Sequence, residues 1–376
     1  MKPKKPTITP TQLSLFTEPV LHVYRALEDE IFQMVAKRLK TSEDIGSDSV
    51  FEWQLDKMNQ LRLLNDETIK ALSKATEIAE KKIREVIQKV GLETIASVDN
   101  ELKGVYSTLP QPNNIDMILE TYVMQTFREF DNFVNQSLIT TNYGEGTVAR
   151  MYRRIIEETT GKVLAGIKTV NKAVAETVIK WAKRGIETGF IDKGGRVWTL
   201  ESYAETVIRS TVNRTYNELR MSRMQEYGVD LVLVSSLPDP REACSRIQGK
   251  VASLSDPSSN PKYPSVYEFG YGEPWGLRGI NCRHQFFPFI EGIMENNQRQ
   301  YSVEEMTENR ELRQKQRYYE RQIRQAKRAL KVAEEIGDEE LIARQKTLLR
   351  RRQARIREFV AEHDLTRRYD RERVIS

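Results

Sequence analysis

Turn-forming residues crowd into one stretch of this chain, and helix-forming residues dominate on both sides of it. Pro238, Pro240, Gly249, Ser255 to Pro261, Pro264, Gly270, Gly272, Pro274, Gly276 and Gly279 follow one another closely. Proline removes a helix donor, and glycine weakens a helix through its backbone freedom. Residues 230–292 therefore cannot continue the surrounding helices and are expected to form a small, loop-rich α+β module. Leu231-Val232-Leu233-Val234 is its short, strongly β-prone run. The same stretch holds both cysteines of the chain, Cys244 and Cys282, and one of its three histidines, His284.

The rest reads as helix. Val20, Val23, Leu27, Ile31 and Met34 recur at helical spacing. After a polar break at Thr41 to Ser49, helix resumes at Val50, with Asp66 as an expected N-cap and Gly91 as an expected stop. Tyr106 to Asn114, with Pro110 and Pro112, reads as a loop. A helix set over 115–158 is interrupted by Thr141-Asn142-Tyr143-Gly144-Glu145-Gly146, and 161–187 reads as one further helix ending at Gly189. Asp192-Lys193-Gly194-Gly195-Arg196 predicts a tight turn, and Glu201 to Tyr227 a long helix capped by Gly228. Beyond Gly292, Tyr319, Ile323, Ala326, Leu330 and Ala333 form a coiled-coil-like seam. Gly337-Asp338 then predicts a hairpin of helices over about 303–336 and 339–363.

The fold class expected is mainly α with a small α+β module. Its organisation is a flexible N-terminal arm over 1–18, a helical body over 19–190, the module with its leading helix over 191–292, and a basic helical hairpin over 293–376. The chain has 376 residues, 30% of them charged, with net charge +5 and mean hydropathy -0.59. No apolar run approaches the roughly 18 residues of a membrane span. The basic start Met1-Lys2-Pro3-Lys4-Lys5-Pro6 has no apolar h-region behind it, so no secretory signal is expected. Two cysteines make no disulfide framework, which fits a reducing cytosol. The 59 basic and 54 acidic residues are mostly interleaved, a pattern of solvated helix faces that tolerates nucleic acid without demanding it.

Three readings meet at the Cys/His segment. A structural zinc would take Cys282 and His284, two apart, with Cys244 and with Asp239 or a water as fourth ligand. An ordinary core would bury the same two thiols beside a hydrogen-bonded histidine, and this reading is preferred. A catalytic reading would make Cys244 or Cys282 a nucleophile activated by His284 and oriented by Asp239. The Cys-Arg-His spacing is poor for that dyad, and no oxyanion-hole motif accompanies it. Asp239 and Arg241 are expected to pair across Pro240, and Gly249 and Gly279 to occupy positive-φ turn positions. Trp198 reads as a packing anchor, and Phe286, Phe287 and Phe289 as core rather than a base-stacking platform.

The chain resembles the type 2 minor capsid proteins of phages, relatives of the Mu F head-morphogenesis proteins. The resemblance rests on Asp192, Gly195, Arg196 and Trp198, then Tyr203 and Arg209, then Gln248, Gly249 and Lys250, and then Gly279, Asn281 and Arg283 around Cys282 and His284. It implies a non-enzymatic structural protein of a tailed-phage or prophage head. It would sit near the portal vertex of the virion, after assembly in the host cytoplasm. The implied partners are the portal protein, the major capsid protein or a scaffold protein. Arg350-Arg351-Arg352 on the basic hairpin marks a partner surface or a non-specific DNA surface. The alternatives are a nucleic-acid-binding protein for packaging or ejection and, behind it, a Cys-dependent hydrolase or transferase.

Overall fold

The computed structural model describes every residue except 1–7, 43, 44, 107, 109, 142, 143, 167, 258, 375 and 376. It is mainly helical with small antiparallel sheets, as expected. In chain order come α1 (Pro10–Leu39), α2 (Val50–Asn59), α3 (Leu61–Leu102) and α4 (Ile115–Phe130). A π-turn over Asp131–Asn135 leads to α5 (Gln136–Ile139), the ribbon of β1 (Thr140–Thr141) and β2 (Gly144–Glu145), α6 (Thr147–Leu164) and α7 (Val170–Arg184). Next are β3 (Glu187–Ile191), β4 (Val197–Thr199), α8 (Leu200–Glu226), β5 (Leu231–Val234), α9 (Glu242–Ser245), β6 (Val251–Ser253) and β7 (Phe286–Phe289). The chain closes with α10 (Val303–Ile336) and α11 (Glu339–Glu362).

Several helix limits differ from the sequence reading, each for a local reason. The arm expected over 1–18 is helical from Pro10, and residues 1–7 lie outside the described residues. Thr9 and Gln12 form a reciprocal capping box: the Thr9 hydroxyl accepts from Gln12 N–H at 3.2 Å, and Gln12 Oε1 accepts from Thr9 N–H at 2.7 Å. Pro10 then occupies the first helical position, where its missing donor costs nothing. Asp66 is no N-cap, because α3 already starts at Leu61. Gly91 does not stop α3. A Cβ there would lie 2.5 Å from Leu119 Cδ2, so the glycine permits close approach to α4. The single helix read over 161–187 is not one: α6 runs on to Leu164, α7 covers Val170–Arg184 with Gly185 at φ 87, and Glu187–Ile191 is a strand. Of the expected interruption at 141–146, Asn142 and Tyr143 lie outside the described residues.

The chain forms two compact units. One holds the residues up to Pro19 with Lys81–Phe127 and Thr206–Gln314. Its sheet has the order β6-β5-β7, all antiparallel, with Val232 opposite both Ala252 and Pro288. Val232, Leu233 and Val234 are buried against Val98 and Leu102 of α3, Met221 and Met224 of α8, and Phe286. Arg220 runs through this core fully buried. Its two terminal nitrogens grip Glu101 at 2.8 and 2.7 Å, and its Nε donates to Phe286 O at 2.7 Å. Three donors of one planar cation are thereby spent on α3 and β7. Arg220→Met leaves the Glu101 carboxylate buried without its cation and is expected to cost about 3–5 kcal/mol in urea denaturation. Adding Glu101→Leu should recover most of that loss.

The other unit holds Val20–Glu80, Arg128–Glu205 and Lys315–Ser376. The predicted hairpin is present. Gly337 sits at φ 81, Asp338 accepts from Leu341 N–H at 3.0 Å, and the Tyr319 ring meets Phe359 at 5.2 Å. Arg328 is buried and reaches Glu28 at 2.7 Å and Asp29 at 2.8 Å, which ties α10 to α1. Glu201, at the start of α8, takes Arg25 at 3.3 Å and also Arg324. Burial raises the Glu28 carboxyl to about 7 despite Arg328. Glu201 is less completely buried, and against its desolvation Arg324, Arg25 and Arg328 together hold it down to about 2. A carboxyl raised on folding stabilises the native state below its unfolded value of 4.5, and that stability is lost as pH rises to about 7. Glu201 acts in the opposite sense, losing its contribution as pH falls from 4.5 towards about 2. The melting temperature should therefore fall between about pH 5 and about pH 7.5, by the equivalent of ~3 kcal/mol at most. Glu28→Gln should flatten that segment of the profile in a pH series of thermal melts.

Candidate functional site

The module brings its chemistry to one buried point. Cys244 lies on α9, and Cys282 and His284 lie on the extended segment that enters β7. Their relative exposures are 0%, 4% and 1%. The sulfurs stand 3.7 Å apart, and Cys282 Sγ is 3.5 Å from His284 Nδ1. Each residue offers one ligand atom, and these atoms all lie within 4.8 Å of one another. The spacing argument against a Cys282–His284 contact does not hold. The Cys282 Sγ to His284 Nδ1 distance of 3.5 Å shows that the two side chains meet on the same face of the segment.

Protonation follows from these contacts. The hydrogen bond to Cys282, with burial, raises the Cys244 thiol well above the usual thiol range. The Cys244 S–H, then His284 and the Arg278 charge, hold Cys282 well below it. Gln248, in the quoted motif, faces His284 Nε2 through its Oε1 at 3.0 Å. That oxygen also accepts from Leu237 N–H at 3.1 Å.

Asp239 does not join the cluster. It pairs with Arg283 at 2.7 Å, and the expected Asp239–Arg241 pair does not form. Arg241 instead donates to Gly276 O and Pro274 O and lies 3.9 Å from Cys244 Sγ. Three participants were not assigned from sequence. Arg241 and Arg278 tie the glycine-rich loop down, Arg278 through Asn213 O at 3.0 Å and His284 O at 3.3 Å. Asn213 donates to Cys282 O. Arg278 stood within the glycine-rich run as a signal, whereas nothing in the sequence pointed to Asn213.

Gly249 has φ 69, as expected of a turn glycine, and its carbonyl accepts from Asn296 and Gln300. Gly279 does not have positive φ. It is required for space, because a Cβ there would lie 2.0 Å from Glu273 O, as one on Gly276 would from Gly270 O. Lys250 and Asn281 are exposed, and Asn281 N–H reaches Ser210 Oγ at 3.4 Å. Phe286 and Phe289 are buried core residues, with Phe287 packed against them. Arg209 pairs with Glu18 at 3.1 Å.

The other motif residues build a separate turn in the second unit. Asp192 Oδ1 accepts from Gly194 N–H and Arg196 N–H at 3.0 and 2.9 Å, and Gly195 sits at φ 77. Trp198 donates to Asp192 Oδ2 at 3.2 Å and stacks edge-on against Phe190, which also meets Tyr203. Of the basic triplet, Arg350 and Arg351 are exposed, whereas Arg352 is half-buried and donates to Gln322 O on α10. Arg351 lines a groove of about 940 Å3 with Lys180, Lys183 and Arg344 around Ile179, Leu341 and Leu348. Burial, then Arg352 and Arg344, lowers the Lys183 ammonium.

The motif residues are thus turn-builders and core-fillers spread over both units, which is the pattern of a family defined by its fold. The family model for phage minor capsid protein 2 matches residues 8–361. The chain belongs to this family. A structural protein of Lactococcus phage LL-H is 39% identical over 360 residues, covering 93% of this chain and 97% of that protein. A structural protein of Lactococcus phage mv4 is 48% identical over 120 residues, covering 32% of this chain and 98% of that protein. No solved structure matches. Among the described residues, no helix of this minor capsid protein 2 family member is long and apolar enough to cross a membrane. The two kinds of motif glycine should separate on mutation. Gly279→Ala is expected to cost ~3 kcal/mol or more, because a backbone carbonyl blocks the methyl. Gly195→Ala has open space and should cost only about 1 kcal/mol for its backbone angle, both read by chemical denaturation.

Proposed function

We propose that the protein is a minor virion component that docks on portal, capsid or scaffold subunits during head assembly and works by binding without turnover. The observation that carries this reading is the outer face of α2. Val50, Trp53 and Lys57 are buried on one side of that helix, yet Phe51 and Leu55, one turn apart, are 61% and 65% exposed. Leu63 at the start of α3 adds a third apolar side chain, 55% exposed. Large apolar groups grouped on an otherwise charged surface are a signature of protein contact. The burial of both thiols supports a role without catalysis, since a nucleophilic sulfur has to meet its substrate.

A second reading, contact with packaged DNA, draws on the cationic groove of Lys180, Lys183, Arg344 and Arg351. Its affinity for arbitrary duplex would fall steeply with salt.

The test quantifies this chain by mass spectrometry in gradient-purified particles, relative to portal and major capsid protein. A few copies per particle are expected. Phe51→Glu with Leu55→Glu should lower incorporation at least about tenfold, the loss of roughly 1.4 kcal/mol of binding. The melting temperature of the free protein should be unchanged, since neither side chain is in the core. Absence of the wild-type chain from both procapsids and mature particles would overturn the assembly reading.

A further inference from the structure

We propose that Cys244, Cys282 and His284 form a structural zinc site, holding one ion per chain that staples the turn-rich module. With metal–sulfur bonds of about 2.3 Å and metal–nitrogen bonds of about 2.0–2.1 Å, a tetrahedron has a sulfur–sulfur edge of about 3.8 Å and a sulfur–nitrogen edge of about 3.5 Å. The two closest donor separations here are 3.7 Å between the sulfurs and 3.5 Å from Cys282 Sγ to His284 Nδ1. Two of the three donor separations thus already match the edges of a metal tetrahedron, and the third is no longer than 4.8 Å.

The imidazole is oriented for the task. Gln248 Oε1 accepts from Leu237 N–H, while the amide nitrogen of the same side chain faces Met306 Sδ at 3.0 Å. The oxygen is thereby fixed as the atom facing His284 Nε2, and it has no proton to give. Nε2 therefore carries a ring hydrogen, and Nδ1 is the nitrogen whose lone pair would turn to a metal between it and the sulfurs once free of any proton. Holding the far ring nitrogen with a carbonyl oxygen is how metal-ligating histidines are fixed in tautomer and angle.

Charge and donor type select the ion. Two thiolates, a neutral imidazole and a divalent cation sum to zero, so the burial of all three ligands carries no net charge penalty. Soft sulfur with one nitrogen in a tetrahedral set favours zinc over calcium or magnesium, which take oxygen. Binding releases the thiol protons. Arg241 Nη2, 3.9 Å from Cys244 Sγ, is placed to donate to that thiolate, and with Asp239 paired to Arg283 the fourth corner would fall to a solvent molecule. The ion would join α9 to the segment entering β7 across a 38-residue separation, adding to the tie that Arg241 makes between α9 and the glycine-rich loop.

The test uses the full chain, purified without chelator, with metal content by mass spectrometry and zinc affinity by competition with a chromophoric chelator. One zinc per chain and an affinity tighter than about micromolar are expected, with the melting temperature falling when the ion is stripped and returning when zinc is restored. Cobalt added to stripped protein should give the visible and sulfur-to-metal charge-transfer bands of a tetrahedral thiolate site. Cys282→Ser should lower bound zinc at least about tenfold, and Gln248→Ala, which keeps all three ligands, should weaken zinc about 10–100-fold. Folded wild-type protein that neither contains nor takes up zinc would overturn the proposal. So would a Cys244–Cys282 disulfide in protein isolated under reducing conditions.

Discussion

The fold depends on arginines buried against carboxylates that come from far away in the sequence. Arg220 takes Glu101 in one unit, and Arg328 takes Glu28 and Asp29 in the other. Helices this rich in charge have narrow apolar faces, so a guanidinium with five fixed donors does work that a larger apolar core would otherwise do. Such pairs add modest net stability, because desolvation offsets most of the attraction. Their larger effect is on geometry: a buried carboxylate accepts only the helix placement that brings its arginine, and every shifted packing leaves a charge unmatched. The contrast between Glu28, raised to about 7, and Glu201, held to about 2, shows how uneven that compensation is within a single network.

Helix periodicity, the module, the strand at Leu231 and the C-terminal hairpin were legible because each has a local cause. Alternation of apolar residues, a β-branched run and a glycine–aspartate break act over a few residues. Two features stayed hidden because their partners are distant along the chain, Leu119 for Gly91 and Arg283 for Asp239. Gly91 looked like a stop because the residue that needs its missing side chain, Leu119, lies on another helix. Gly279 was correctly singled out, but the reason is a carbonyl at Glu273 rather than a backbone angle. The capping box of Thr9 and Gln12 was a local signal passed over beneath the prolines around it. In the Cys/His segment the three residues do converge, while Asp239 is claimed by Arg283, a choice between two partners that spacing does not decide.

The hairpin's arginines divide by destination. Arg324 and Arg328 point inward to acids on α1 and α8, while Arg350 and Arg351 stay in solvent. A charge count along α10 and α11 treats all of these alike, yet only the second group can contribute to a surface. The family relationship fits this division of labour. A structural protein needs a body that holds its shape and outer faces in solvent, and Phe51 and Leu55 on α2 are large apolar side chains on such a face.

The pairing of Asp29 with Arg328, 299 residues apart, also fixes an order of events during synthesis. A ribosome releases α1 long before α10, and until Arg328 emerges the Glu28 and Asp29 side chains have no buried cation to meet. The contacts that α1 makes with earlier segments can form first, but this part of the unit can close only after α10 has been made. A nascent chain stalled before Arg328 would expose the apolar stripe of α1 to chaperones and proteases.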